Sequence, residues 1–277
     1  VKRSDGVLAV VLALVFVPAL LAMARVWSSV DYYSHGFLVP LLSVWIARDR
    51  WLRGIDASPE PRARLALAAA LGLYAVGLAG NLVSLQGVAL VVAVAAFVWM
   101  VWGTAALAAL AFPIAFLLFM VPIPPAWLTP LIIGLQLAVS SAAVSFLHLF
   151  EFSVAREGNV LLLGSGESLF VEEACSGITS IVTLLPLSVV LAWFTLDPGW
   201  RRAALVALVV PVAMLGNLVR VIATVAAAGE WGTDRATEGS LHESAGLLTF
   251  AGACLLLIAI GVVLGRGQPG ASARNAA

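Results

Sequence analysis

Charge is what this 277-residue sequence has least of. Asp, Glu, Lys and Arg together supply 11% of it, against about 25% in a soluble domain. Fifteen basic residues cancel fifteen acidic ones, so there is no basic footprint for nucleic acid and no acidic tail. Cysteine is nearly absent: Cys175 and Cys254 stand alone, which excludes a disulfide-built scaffold. Cys254 lies within a continuous apolar run and reads as a small buried hydrophobe. No metal or cofactor is expected. With 62% hydrophobic residues there are too few charges to coat a water-facing surface, and lipid must solvate most of this chain. Soluble domains and disordered chains are excluded, which leaves an all-α polytopic membrane protein.

What is present is a series of long apolar runs. A spanning helix needs roughly 20 such residues, and eight candidates lie near 7–26, 34–47, 65–85, 87–102, 104–121, 175–196, 203–228 and 243–264. The first follows Lys2/Arg3 as a signal peptide would, but its length suits a retained helix. A ninth run, 126–150, follows Pro122, Pro124, Pro125 and Pro130 and carries Gln136, Ser140, Ser141, Ser145 and His148. Basic residues near span ends stay in the cytoplasm. The clusters Lys2/Arg3, Arg48–Arg64, Arg201/Arg202 and Arg266/Arg274 all fall on one side only if 126–150 does not cross. The expectation is therefore eight spans with an interfacial or re-entrant helix at 126–150 and both termini inside. Segment 151–171 reads as a short extracytoplasmic β-hairpin about a Gly-Ser-Gly turn. Residues 1–264 then form a single transmembrane domain, and the Gly/Pro/Ala-rich 265–277 a flexible cytoplasmic tail.

Ionisable groups inside a membrane are costly and mark functional sites. Arg220 occupies such a place, about eight residues before the outer end of its span and so roughly 12 Å below it. Asn217, one turn earlier, shares its face. Cys175 opens a span after Glu172-Glu173-Ala174, where the positive end of the helix dipole favours thiolate and the two carboxylates oppose it. His242 lies within Ser240-Leu241-His242-Glu243, whose Ser and Glu fit a capping box. Singly, each has an ordinary reading: a snorkelling arginine, an inert interfacial cysteine, a solvated histidine. Together the topology brings them to one face on three successive helices. A nucleophile, a fixed cation and a proton carrier are the parts of acyl transfer through a thioester.

The runs Val171-Glu172-Glu173-Ala174-Cys175-Ser176-Gly177-Ile178, Asn217-Leu218-Val219-Arg220 and His242-Glu243-Ser244-Ala245-Gly246 resemble the three signature blocks of the exosortase/archaeosortase family. Tyr33-Ser34-His35-Gly36-Phe37-Leu38-Val39-Pro40 is similar to its N-terminal block. The resemblance implies a cysteine transpeptidase of the cytoplasmic (inner) membrane, with its active site facing outward. Its substrates would be exported proteins with a C-terminal sorting signal: a short motif such as Pro-Glu-Pro, a transmembrane helix and a basic cluster. The cleaved product would pass to a surface acceptor, such as a lipid or glycan. The resemblance assigns catalysis to Cys175, Arg220 and His242, with Asn217, Glu173, Ser176 and His35 in support. The lipid bilayer is the other expected partner, and nucleic acid is not one.

Two rival readings remain at this level. Glu172-Glu173 and His242 invite comparison with glutamate-dependent intramembrane proteases, but Gly177 stands where that pattern needs arginine. A transporter or lipid-binding protein with Arg220 as anion site would require paired broken helices or inverted repeats, and neither is visible.

Overall fold

The computed structural model describes residues 3–52, 58–164, 166–171, 176–233, 236 and 240–266, without side chains at 49, 52 and 240–243. It divides into two compact units, Val1–Pro124 and Pro125–Ala277. Both are built mainly of helices, which satisfy their own backbone polar groups where lipid cannot.

In the first unit the N-terminal apolar run folds as two helices, α1 (Arg3–Val15) and α2 (Val17–Ser29), bent by 45°. Pro18 lies in the first turn of α2 and lacks an N–H for the carbonyl one turn back. The Tyr74 hydroxyl donates to the Val15 carbonyl beside the bend, at 3.0 Å. A 3-10 turn, Asp31–Phe37, leads into α3 (Leu38–Leu52). Helices α4 (Ala63–Ala79) and α5 (Val83–Ala109) form a hairpin, with Asn81 at positive φ in its turn. Phe16, Ala19, Leu67, Ala70, Tyr74, Ala89, Ala93 and Ala96 pack where α2, α4 and α5 meet. Gly103 (φ 86°) interrupts α5 where the Ser58 N–H donates to the Trp102 carbonyl. The short α6 (Ala111–Phe116) and a 3-10 turn, Leu117–Met120, end the unit before its proline cluster.

The second unit opens with α7 (Pro125–His148). A three-stranded antiparallel sheet follows: β1 (Val154–Glu157), β2 (Val160–Leu163) and β3 (Ser168–Phe170), in that order. Alternation decides its faces. Leu161, Leu163 and Leu169 are buried against α7, while Leu162 and Phe170 point outward. Helix α8 (Ile178–Thr195) turns back through α9 (Trp200–Ala207) into α10 (Val209–Trp231), and α11 (Ser240–Gly265) returns alongside. Leu184, Ala192, Leu205, Val209, Val212, Ala253 and Leu257 form the core between these helices. Val221, Val225 and Ala228 of α10 instead pack with the inner face of the sheet.

Among the described residues five helices are long and apolar enough to cross a membrane, or six if α1 and α2 count as one bent span. The expected count of eight is not confirmed. The runs at 34–47 and 65–85 fold as helices of 15 and 17 residues, and the run at 104–121 is divided after Gly103 into short pieces. Conversely α7, with 24 residues, is long enough to cross, so length does not set the 126–150 run apart. The expected hairpin has a third strand, because Gly158-Asn159 makes a turn before the Gly-rich one. Of the expected tail, 267–277 lies outside the described residues.

Candidate active site

The second unit brings the three polar blocks into one neighbourhood, and glycines make this possible. Gly177 precedes α8 with φ 87°, a conformation that disfavours a side chain. A Cβ there would stand 3.4 Å from the Cβ of Asn217. Ser176, fully buried, accepts a hydrogen bond from the Ile178 N–H through Oγ at 3.2 Å, satisfying one of the open donors of the first helical turn. Four positions before the cysteine, Val171 is held on both sides. The Val171 N–H donates to the Asn159 carbonyl at 2.9 Å, and its carbonyl accepts from Gln136 Nε2 at 3.0 Å. Cys175 and Glu173 themselves lie outside the described residues.

On α10, Asn217 is buried and Arg220 half-buried. The Arg220 guanidinium lies across Gly246 of α11: a Cβ at Gly246 would stand 3.3 Å from Cζ and 3.5 Å from each terminal nitrogen. The backbone of His242 stands one turn before Gly246, on the same face of α11; its side chain is outside the described residues. Helix α10 thus touches the start of α8 through Asn217 and α11 through Arg220. All three helices also contact one another.

These contacts set the level of Arg220 relative to α8. Helix α10 runs to Trp231, and Asn217 is level with Gly177, so Arg220 stands about a turn beyond the start of α8. Helix α8, with 18 residues, rises about 27 Å, close to the thickness of a bilayer core. Arg220 therefore stands near the start of α8 rather than along its length. A guanidinium there can donate in a planar fork to developing negative charge.

The chain matches a family model described as transmembrane exosortase over residues 27–259. The chain belongs to the transmembrane exosortase family. It is accordingly a multi-pass membrane protein of the sortase-like kind. No curated protein and no solved structure matches it.

His35, in the N-terminal exosortase block, lies in the first unit and has a structural occupation. Its Nε2 donates to the Phe119 carbonyl at 3.1 Å. Beside it the Trp27 indole donates to the Met120 carbonyl at 2.8 Å, and the Ile123 N–H donates to the Tyr33 hydroxyl at 2.8 Å. Pro122, Pro124 and Pro125 bring no N–H to this stretch, so side chains satisfy its backbone instead. Burial pushes the His35 pKa down, with the carbonyls of Phe119 and Tyr32 pulling partly back. Burial also raises the Tyr33 phenol. The contacts of Gly177 and Gly246 carry the site, yet the sequence reading assigned them no role. The only advance signal for Gly246 was its spacing of four from His242.

Proposed function

We propose that this exosortase cleaves exported proteins that carry a C-terminal sorting signal, through a thioester on Cys175. The signal comprises a short motif, a membrane helix and a basic cluster. The observation that carries the reading is the contact of Asn217 with Gly177 and of Arg220 with Gly246, which joins the arginine block to the cysteine and histidine blocks. Family membership supports it, and favours neither the glutamate-dependent protease nor the transporter.

The Cys175 sulfur, as thiolate, attacks the scissile carbonyl carbon. Arg220 donates to the oxyanion that forms. When the tetrahedral centre collapses, the C–N bond breaks and the departing nitrogen takes a proton from His242. An acceptor nucleophile then gives its proton to His242, attacks the thioester carbon and releases the thiolate. Asn217 steadies the arginine's helix against Gly177, while Ser176 and Glu173 flank the nucleophile. In this reading the enzyme sits in the inner membrane with the start of α8 facing outward, and the acceptor is a surface molecule such as a lipid or glycan. His35 acts as part of the first unit's framework.

The test is to trap a tagged substrate on the enzyme. A hydroxylamine-sensitive adduct that maps to Cys175 is expected. Processing that continues undiminished in Cys175→Ala would refute the mechanism.

A further inference from the structure

A cavity of about 460 Å³ opens between α10 and α11, and the chemistry above makes no use of it. Thr224, Ala227 and Trp231 line one side, Ala245 and Leu248 the other. On α10 the spacings from Arg220 to Thr224, Ala227 and Trp231 are those of a single helix face. On α11, Ala245 adjoins Gly246. The cavity therefore begins at Thr224, one turn past Arg220, and runs along α10 towards Trp231, away from the start of α8.

Its walls are suited to apolar matter. The Thr224 hydroxyl donates to the Arg220 carbonyl at 2.9 Å, and the alanines present methyl groups. Glu230, exposed at the rim, disfavours a carboxylate as the occupant. Size narrows the choice further. A helix about 10 Å across would fill this volume in roughly one turn, so the cavity takes one or two side chains and not a spanning helix. Position completes the argument. A substrate helix matched to α8 would end near the level of Asn217, and the cavity lies beyond that level, from Thr224 to Trp231.

We propose that the cavity is a specificity pocket for an apolar side chain of the substrate, from the exported segment just ahead of the scissile bond. This rests on the cysteine mechanism proposed above. The pocket fixes which residue precedes the cut, while Arg220 and His242 act on the bond itself.

The test uses the full-length protein in membranes, with a tagged exported reporter ending in a membrane helix and a basic cluster. Ala227→Leu narrows the pocket, and Cys175→Ala reports separately on the mechanism beneath it. Ala227→Leu is expected to lower processing of the parent reporter at least about tenfold. A set of reporters in which each residue ahead of the membrane helix is cut to alanine should contain one that recovers most of that loss. Recovery by a smaller partner cannot come from a misfolded enzyme. Undiminished processing by Ala227→Leu, or loss with every reporter alike, overturns the pocket while Cys175→Ala remains dead. Undiminished processing by Cys175→Ala overturns the mechanism instead.

Discussion

Gly36 and Gly246 play the same part in different units of the chain, with different results. At Gly36 a Cβ would stand 2.5 Å from Nε1 of Trp27, so the missing side chain admits an indole. At Gly246 the missing side chain admits the Arg220 guanidinium. In the first unit, Trp27, Tyr33 and His35 all end on the backbone of residues 119–123, and their polar atoms close off a proline-rich turn. In the second, a cation crosses bare backbone near a cavity, about a turn beyond the start of α8. A glycine backed by aromatic rings and backbone bonds makes a joint, whereas one crossed by a guanidinium keeps a cation at the proposed site.

The sharpest way to break this contrast is at the chemistry. Cys175→Ala should reduce processing of a tagged exported substrate to background, while the protein remains in the membrane at its usual level. Arg220→Ala should cost roughly 10²–10³-fold. Arg220→Lys, which keeps the charge and loses the fork, should fall between it and the parent; full activity in Arg220→Lys would show that charge alone suffices. Gly246→Val should displace the guanidinium and lower turnover by about 10²-fold, with little change in thermal unfolding. An equal fall in stability would make Gly246 a joint like Gly36.

On the other side of the comparison, Gly36→Ala should act on stability. With the indole so close, overpacking should destabilise the first unit by about 1–3 kcal/mol, read as a lowered melting temperature in detergent. The smallest expected effect concerns pH. The His35 pKa is depressed in the folded state, so its neutral form is the one that fits. Its contribution to stability is complete above the unfolded value of about 6.5 and declines as pH falls through the folded value. Melting temperature should therefore drop on acidification from pH 7 to 5, and His35→Gln should flatten that part of the profile.

Much of this was legible in the sequence, and the reasons for the misses are physical. Apolar length located the long helices because a spanning segment has no other way to satisfy its backbone. The same criterion offered eight runs where five or six helices meet it among the described residues, since apolar length cannot register a positive-φ glycine such as Gly103 or a 3-10 turn such as Asp31–Phe37. The sheet was half seen: alternation in 160–163 and 168–170 announced a hairpin, whereas Val154–Glu157 has only Val154 buried and gave too weak a pattern. The polar blocks were found because charge in an apolar run is conspicuous. Their mutual contacts were not, because a glycine that admits a neighbour looks like any other until the neighbour is in place.

One feature far from the site also bears on it. Arg202 donates through Nε to the Leu196 carbonyl at 2.9 Å and through Nη2 to that of Trp193 at 3.1 Å, with its guanidinium 4.6 Å from the Trp193 ring. It thereby clamps the last turn of α8 to the first turn of α9. A helix is stiff along its axis, so a clamp at its foot fixes the height of its head. The seat of Gly177 against Asn217 is thus set partly by an arginine some 27 Å away. A lesion in that basic corner would shift the reaction centre along the membrane normal without altering one atom that touches substrate.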